Sequence, residues 1–129
     1  MILYVVSDAR KNYRASDGWF QTQKVLERLA HDVCMTLHYT RMSPKLVREL
    51  RPGAVVHSGG GTDYSYWEVK ELGPDLRLLA ISRDCRVQAF VHRSRPVYGT
   101  QFHPETPLKA YPDGFRVLRN FFRLARERT

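Results

Sequence analysis

The five residues Ile2-Leu3-Tyr4-Val5-Val6 restrict the fold more than any other stretch of this 129-residue chain. An apolar run without alternation suits a strand covered on both faces, as in the interior of a parallel sheet. A parallel neighbour is reached only through a crossover, usually helical, so the run predicts helices packed around it. The following segments supply them. After a polar loop from Ser7 to Asp17, Ser16 or Asp17 is placed to cap a helix carrying Phe20, Val25, Leu26 and Leu29. Val33 to Tyr39 alternates apolar and polar residues as a second strand does. Ser43-Pro44 opens a short helix through Leu46, Val47 and Leu50, with serine at the cap and proline at the first helical position. Gly53-Ala54-Val55-Val56-His57 is a third strand, ending in Ser58-Gly59-Gly60-Gly61. This βαβαβ start predicts a doubly wound sheet, with ligand sites beyond the carboxyl ends of its strands.

The second half changes character. Asp75 to Ser82 and Arg86 to His92 are strand-like runs separated by Arg83-Asp84-Cys85, the pattern of an antiparallel hairpin. Pro96-Val97-Tyr98-Gly99-Thr100-Gln101-Phe102 follows as the expected last parallel strand, then a loop from Thr106 to Asp113. A closing amphipathic helix turns Phe115, Leu118, Phe121, Phe122 and Ala125 inward. With no repeat, low-complexity segment or linker, residues 1–129 are expected to form one domain.

Hydrophobic content of 43% argues against disorder. No apolar run approaches the roughly eighteen residues of a membrane span, and the N-terminus lacks the basic region of a signal peptide. Cys34 and Cys85 make neither a metal spacing nor a disulfide framework, so both are expected as reduced thiols in a cytoplasmic protein. Single histidines such as His57 and His92 are more often packing residues than ligands, and no metal site is expected.

The net charge of +8, from 21 Lys and Arg against 13 Asp and Glu, is compatible with a polyanionic partner. Most of the basic residues are scattered, without a helix-turn-helix or RNA-binding signature. Arg116, Arg119, Arg123 and Arg126 are the exception, recurring at spacings of three and four along the closing helix. The common origin of such a row is a solvated helix face; nucleic-acid binding is the sharper alternative.

Tyr98-Gly99-Thr100-Gln101-Phe102-His103-Pro104-Glu105 carries the chemistry. It delivers a histidine and a carboxylate two residues apart at the end of a strand, with proline stiffening the backbone between them. An imidazole oriented by a carboxylate is the base of a nucleophilic triad. Together with Ser58-Gly59-Gly60-Gly61, with Leu79-Ala80-Ile81-Ser82 and Val87-Gln88-Ala89-Phe90, and with Leu118-Arg119-Asn120-Phe121-Phe122, this motif resembles the class I glutamine amidotransferase domains. The resemblance implies a flavodoxin-like three-layer α/β sandwich, in reduced form: a mostly parallel sheet with a late antiparallel hairpin. It also implies that His103 is the general base for a cysteine, that Glu105 orients it, and that backbone N–H groups of the Gly59–Gly61 loop hold an oxyanion or a glutamine-like ligand. No cofactor is implied.

One part of the family pattern is missing. Its cysteine sits in a Gly-x-Cys-x-Gly elbow between the glycine loop and the C-terminal signature. Here Gly61 runs through Thr62-Asp63-Tyr64-Ser65-Tyr66-Trp67 directly to Val69-Lys70-Glu71-Leu72. Cys34 and Cys85 lack flanking glycines, and the ordinary role of Ser58 is a cap or turn hydrogen bond. His103 and Glu105 are therefore expected as a vestigial pair in a protein acting by binding or association. A sheet missing an inner strand has to close up or leave an edge exposed, and Tyr64, Tyr66, Trp67 and Tyr98 lie near that junction in sequence, so a homodimer is expected. The alternatives are a hydrolase or amidotransferase acting on glutamine or a γ-glutamyl amide, its nucleophile recruited from Ser58, Cys85 or a partner chain, and a basic module binding nucleic acid or phosphate ligands.

Overall fold

The computed structural model describes residues 1–6, 17–57, 69–106, 109 and 112–128, with the side chains of 17–19 left aside. Two compact units divide the chain, one of Met1–Asp63 with Glu105–Thr129 and one of Tyr64–Pro104.

The first unit holds a three-stranded parallel sheet in the order β2-β1-β3, formed by β1 (Ile2–Val6), β2 (Cys34–His38) and β3 (Ala54–His57). Ile2 lies opposite both Cys34 and Ala54, so β1 is bonded on both edges. Its faces are covered as well: all five residues are buried, Leu3 and Val6 completely. That accounts for the unbroken apolar run. The crossover from β1 to β2 contains α1 (Asp17–Ala30), and α2 (Pro44–Leu50) lies between β2 and β3. As expected, Ser43 caps α2: its hydroxyl accepts from the Leu46 N–H at 3.1 Å, with Pro44 in the first turn. Arg51, at φ 46°, ends that helix in the left-handed region.

The core of this unit lies between β1 and two helices. Ile2, Tyr4 and Val6, alternate residues on one face of β1, meet Leu26, Leu29 and Ala30 of α1 and Leu118 and Phe122 of α3 (Gly114–Glu127). The inward stripe read from the closing helix is thus the one that packs, with Phe115 and Phe121 at its margin. Phe20 departs from expectation. It is 52% exposed on α1, and the Lys24 ammonium stands 4.4 Å from its ring centroid. The Phe20 side chain lies six residues, or about 600° of helical rotation, before buried Leu26, which places it well off the buried stripe.

The second unit holds an antiparallel sheet in the order β4-β5-β6, from β4 (Leu76–Ala80), β5 (Ala89–His92) and β6 (Tyr98–Thr100). The hairpin of β4 and β5 is present, with a longer connection than expected, 81–88, and a register shift between Leu78 and Ala80. The strand read as the last parallel one is different. Tyr98–Thr100 pairs antiparallel with β5. The reason is local: only five residues separate β5 from β6, so this pairing closes a short loop at little entropic cost. His92 stabilises the turn, its Nδ1 accepting from the N–H groups of Ser94 and Arg95 at 3.1 Å each. Gly99 lies directly under the Phe90 ring, whose Cε2 stands 2.7 Å from where a Cβ would be. A side chain there would displace the ring, which explains glycine within a strand. Among the described residues, no helix is long and apolar enough to cross a membrane.

Candidate functional site

In the first unit, Val6 ends β1 and His57 ends β3 at the same, carboxyl, edge of the parallel sheet. A parallel sheet whose second strand lies on one side of the first and whose third lies on the other has its topological switch between β1 and β3. The chain leaves that switch point through Ser58, Gly59, Gly60 and Gly61, which lie outside the described residues. Tyr64, Tyr66 and Trp67 do as well.

His103 and Glu105 are both described. His103 is exposed and belongs to the second unit; Glu105 is half-buried and belongs to the first. The position of Glu105 reveals a neighbour that motif reading passed over. Its negative charge acts on the phenol of Tyr4, in the middle of β1. Burial holds the Tyr4 hydroxyl well above its ordinary pKa; a hydrogen bond with Thr22 of α1 works the other way, and the Glu105 carboxylate adds a smaller upward push. A sequence signal existed: Tyr4 is the one polar-tipped residue in an aliphatic run, and a buried tyrosine hydroxyl generally needs a partner.

The segment leading to His103 is anchored through Gln101. The Gln101 N–H donates to the Gln88 carbonyl at 2.9 Å, and its Oε1 accepts from the Val69 N–H at 3.3 Å. Thr100 Oγ1 donates to the Phe102 carbonyl at 3.0 Å. The Gln-Phe-His sequence is therefore held by its glutamine, which sequence reading treated only as part of a signature.

The two cysteines occupy different surroundings. Cys34 begins β2, opposite Ile2, at the amino edge of the parallel sheet. The four residue steps to His38 put about 13 Å of strand between it and the carboxyl edge. It is 4% exposed, and burial, reinforced by the Glu27 carboxylate, pushes its thiol up to about 12 despite a hydrogen bond from the Tyr4 backbone. A thiol so placed is almost wholly protonated near neutral pH, and the thiolate is the reactive form. Cys85 sits in the β4–β5 connection. Its thiol donates to the Val87 carbonyl at 3.3 Å, its N–H donates to the Ser82 hydroxyl at 3.1 Å, and its carbonyl accepts from the Ser82 N–H at 2.9 Å. It closes a turn.

One consequence can be measured. A disulfide reagent applied at pH 8 is expected to modify Cys85 readily and Cys34 only after denaturant is added. Two fast-reacting thiols in the folded protein would contradict the burial of Cys34.

Sheet register does bring two candidates to one end of the second unit. Ala80, Ala89 and Thr100 form its terminal row, so the connection bearing Cys85 and the segment bearing His103 leave from the same end.

Comparison with known proteins gives a consistent result. The family model of glutamine amidotransferase class-I matches residues 61–125, half of the chain. Three relatives are each named as one of the subunits of GMP synthase (glutamine-hydrolyzing). The protein of Thermococcus kodakarensis is 48% identical over 60 residues, 46% of this chain and 31% of the relative. That of Pyrococcus abyssi is 45% identical over 60 residues, with the same two coverages, 46% and 31%. That of Methanothermobacter thermautotrophicus is 40% identical over 76 residues, 55% of this chain and 40% of the relative. The chain thus spans between 31% and 40% of the length of these relatives.

Proposed function

Taking as premise that the chain belongs to the class I glutamine amidotransferase family, we propose that it is a member without glutamine-hydrolysing activity of its own, acting by binding or association. Its relatives are named for glutamine hydrolysis, a reaction that needs a thiolate to attack the carboxamide carbon and an imidazole to carry the proton to departing ammonia. The observation that supports loss of this chemistry is the placement of the two cysteines. Cys34 is buried at the wrong edge of the parallel sheet with its thiol pushed up to about 12, and the Cys85 thiol is engaged with the Val87 carbonyl inside a turn. The direct passage from the glycine loop at Gly61 to Val69, without a Gly-x-Cys-x-Gly elbow, points the same way. On this reading His103 and Glu105 are an inherited pair that lost its nucleophile, and the Ser58–Gly61 loop keeps a binding role for a glutamine-like carboxamide.

A second reading has one observation in its favour. The Cys85 connection and His103 share an end of the antiparallel sheet, so opening the Cys85 thiol contact would offer His103 a nucleophile. Ammonia release from glutamine separates the two. The protein is expected to release none above the rate of buffer. Release that disappears in both Cys85→Ser and His103→Ala would overturn the first reading and establish the second.

A further inference from the structure

We propose that one exposed side of α3 is a nucleic-acid backbone-binding surface, carried by Arg116, Arg119, Arg123 and Arg126. These four positions fall within about 80° of the helix circumference and extend over about 15 Å of its axis. All four side chains are exposed, and the row runs beside the stripe in which Leu118 and Phe122 are buried, Arg126 lying about 40° around the helix from Phe122. The row was open to a bland explanation as a solvated face, and the fate of the neighbouring acidic groups is what separates the two.

A solvated face usually alternates charges, and this layer does not. Within α3, four arginines stand against one glutamate. On adjoining α1, the Glu27 carboxylate is directed to the Cys34 N–H at 3.2 Å on β2, and just beyond the helix Asp32 binds the N-terminal ammonium at 2.6 Å. Among the described residues, three acids reach the row: the Asp32 charge acts on Arg126, and Asp113 and Glu127 pair with Arg116 at 3.6 Å and with Arg123 at 3.3 Å. Both pairs are exposed and sit at the ends of the helix, and pairs of that kind are worth little against a phosphate. Arg126 Nη1 donates to the Ala30 carbonyl at 2.9 Å, which fixes that end of the row on α1. Arg28 of α1, 5.4 Å from the Phe115 ring centroid, adds a fifth guanidinium beside its beginning.

The chemistry favours a polyphosphate over the other anionic surfaces. Guanidinium groups bind phosphate oxygens in bidentate fashion, and here every basic residue of the helix is arginine. A membrane-surface helix has to insert its apolar face, and that of α3 is already committed to the core. A protein interface draws its energy from buried aromatic or aliphatic anchors. Val117 is the one large hydrophobic residue of α3 that stands exposed. Backbone recognition needs charge alone, and so carries no base preference.

Fluorescence anisotropy with a labelled 20-base-pair DNA duplex tests this. With roughly three phosphates neutralised, affinity is expected to fall about 40-fold between 50 and 200 mM salt. Arg119→Gln/Arg123→Gln, at exposed positions that leave the core intact, should weaken binding at 50 mM at least tenfold and flatten the salt dependence by about two contacts. Arg83→Gln/Arg86→Gln removes the same charge from the second unit and is expected to leave both nearly unchanged. Equal losses in the two variants would show a general charge effect and overturn the proposal. So would absence of duplex binding at 50 mM, or displacement of the duplex by polyglutamate or anionic vesicles at matched charge concentration.

Discussion

Replacing Phe122 with alanine is expected to destabilise the first unit by about 3–5 kcal/mol, the range for deleting a buried phenylalanine. Phe122 is 2% exposed and belongs to the same cluster as Tyr4, Leu26, Leu29 and Leu118. Its ring lies 5.3 Å from that of Phe121, which sits at the edge of the cluster. The cavity would open in this cluster, where Phe122 is the most buried aromatic ring that α3 contributes. A domain typically has about 5–15 kcal/mol in hand, so this one change removes a large share. Urea unfolding followed by amide exchange in β1 checks it, with Val117→Ala as the comparison. Val117 is 39% exposed on the same helix, and its truncation is expected to stay within about 0.5 kcal/mol. Equal midpoints for the two variants would show that α3 is not part of the core.

The first unit is also expected to lose stability steeply above pH 9. Cys34 and Tyr4 are buried, and for both burial raises the pKa in the folded chain, to about 12 for the thiol. The sign follows from where the protons are held. Unfolding exposes these groups to water, where they ionise at their ordinary values, so in the alkaline range the folded state binds more protons. The stability they confer is complete below the unfolded pKa and is lost as pH rises towards the folded one. For the thiol, that loss begins near pH 9 at about 1.4 kcal/mol per pH unit, on the order of 2 kcal/mol by pH 10.5. Tyr4 adds its own loss above about pH 10. Cys34→Ala should abolish the slope between pH 9 and 10, and Tyr4→Phe should reduce it only at higher pH. A wild-type slope unchanged by Cys34→Ala would mean that the thiol is solvated in the folded protein.

Phe122, Cys34 and Tyr4 share the cluster built on β1, the element most legible in the sequence. Five apolar residues in a row left no solvent face, and the strand proved bonded on both edges and buried on both faces. The inward stripe of α3 and the Ser43-Pro44 start of α2 were equally readable, because helix periodicity and capping chemistry act over one or two turns. The partner of residues 98–100 was not. An apolar run specifies that it will be a strand, and pairing depends on which neighbour the connecting chain reaches at least entropic cost. The five-residue connection to β5 decided that in favour of an antiparallel sheet.

The candidate site divides along the same line. The sequence by itself determined the residue types: a histidine and a carboxylate around Pro104, a glycine loop after the third strand, two cysteines without an elbow, and an arginine row in register on one helix. Motifs and helical spacing are local properties of the chain. Only the tertiary structure decided that Cys34 begins β2 at the amino edge with its thiol out of water, that Glu105 acts on the Tyr4 phenol, and that Glu27 is directed to the Cys34 N–H. Burial and charge environment arise from contacts between segments far apart in sequence, and those contacts set whether a side chain is a reagent or part of the packing.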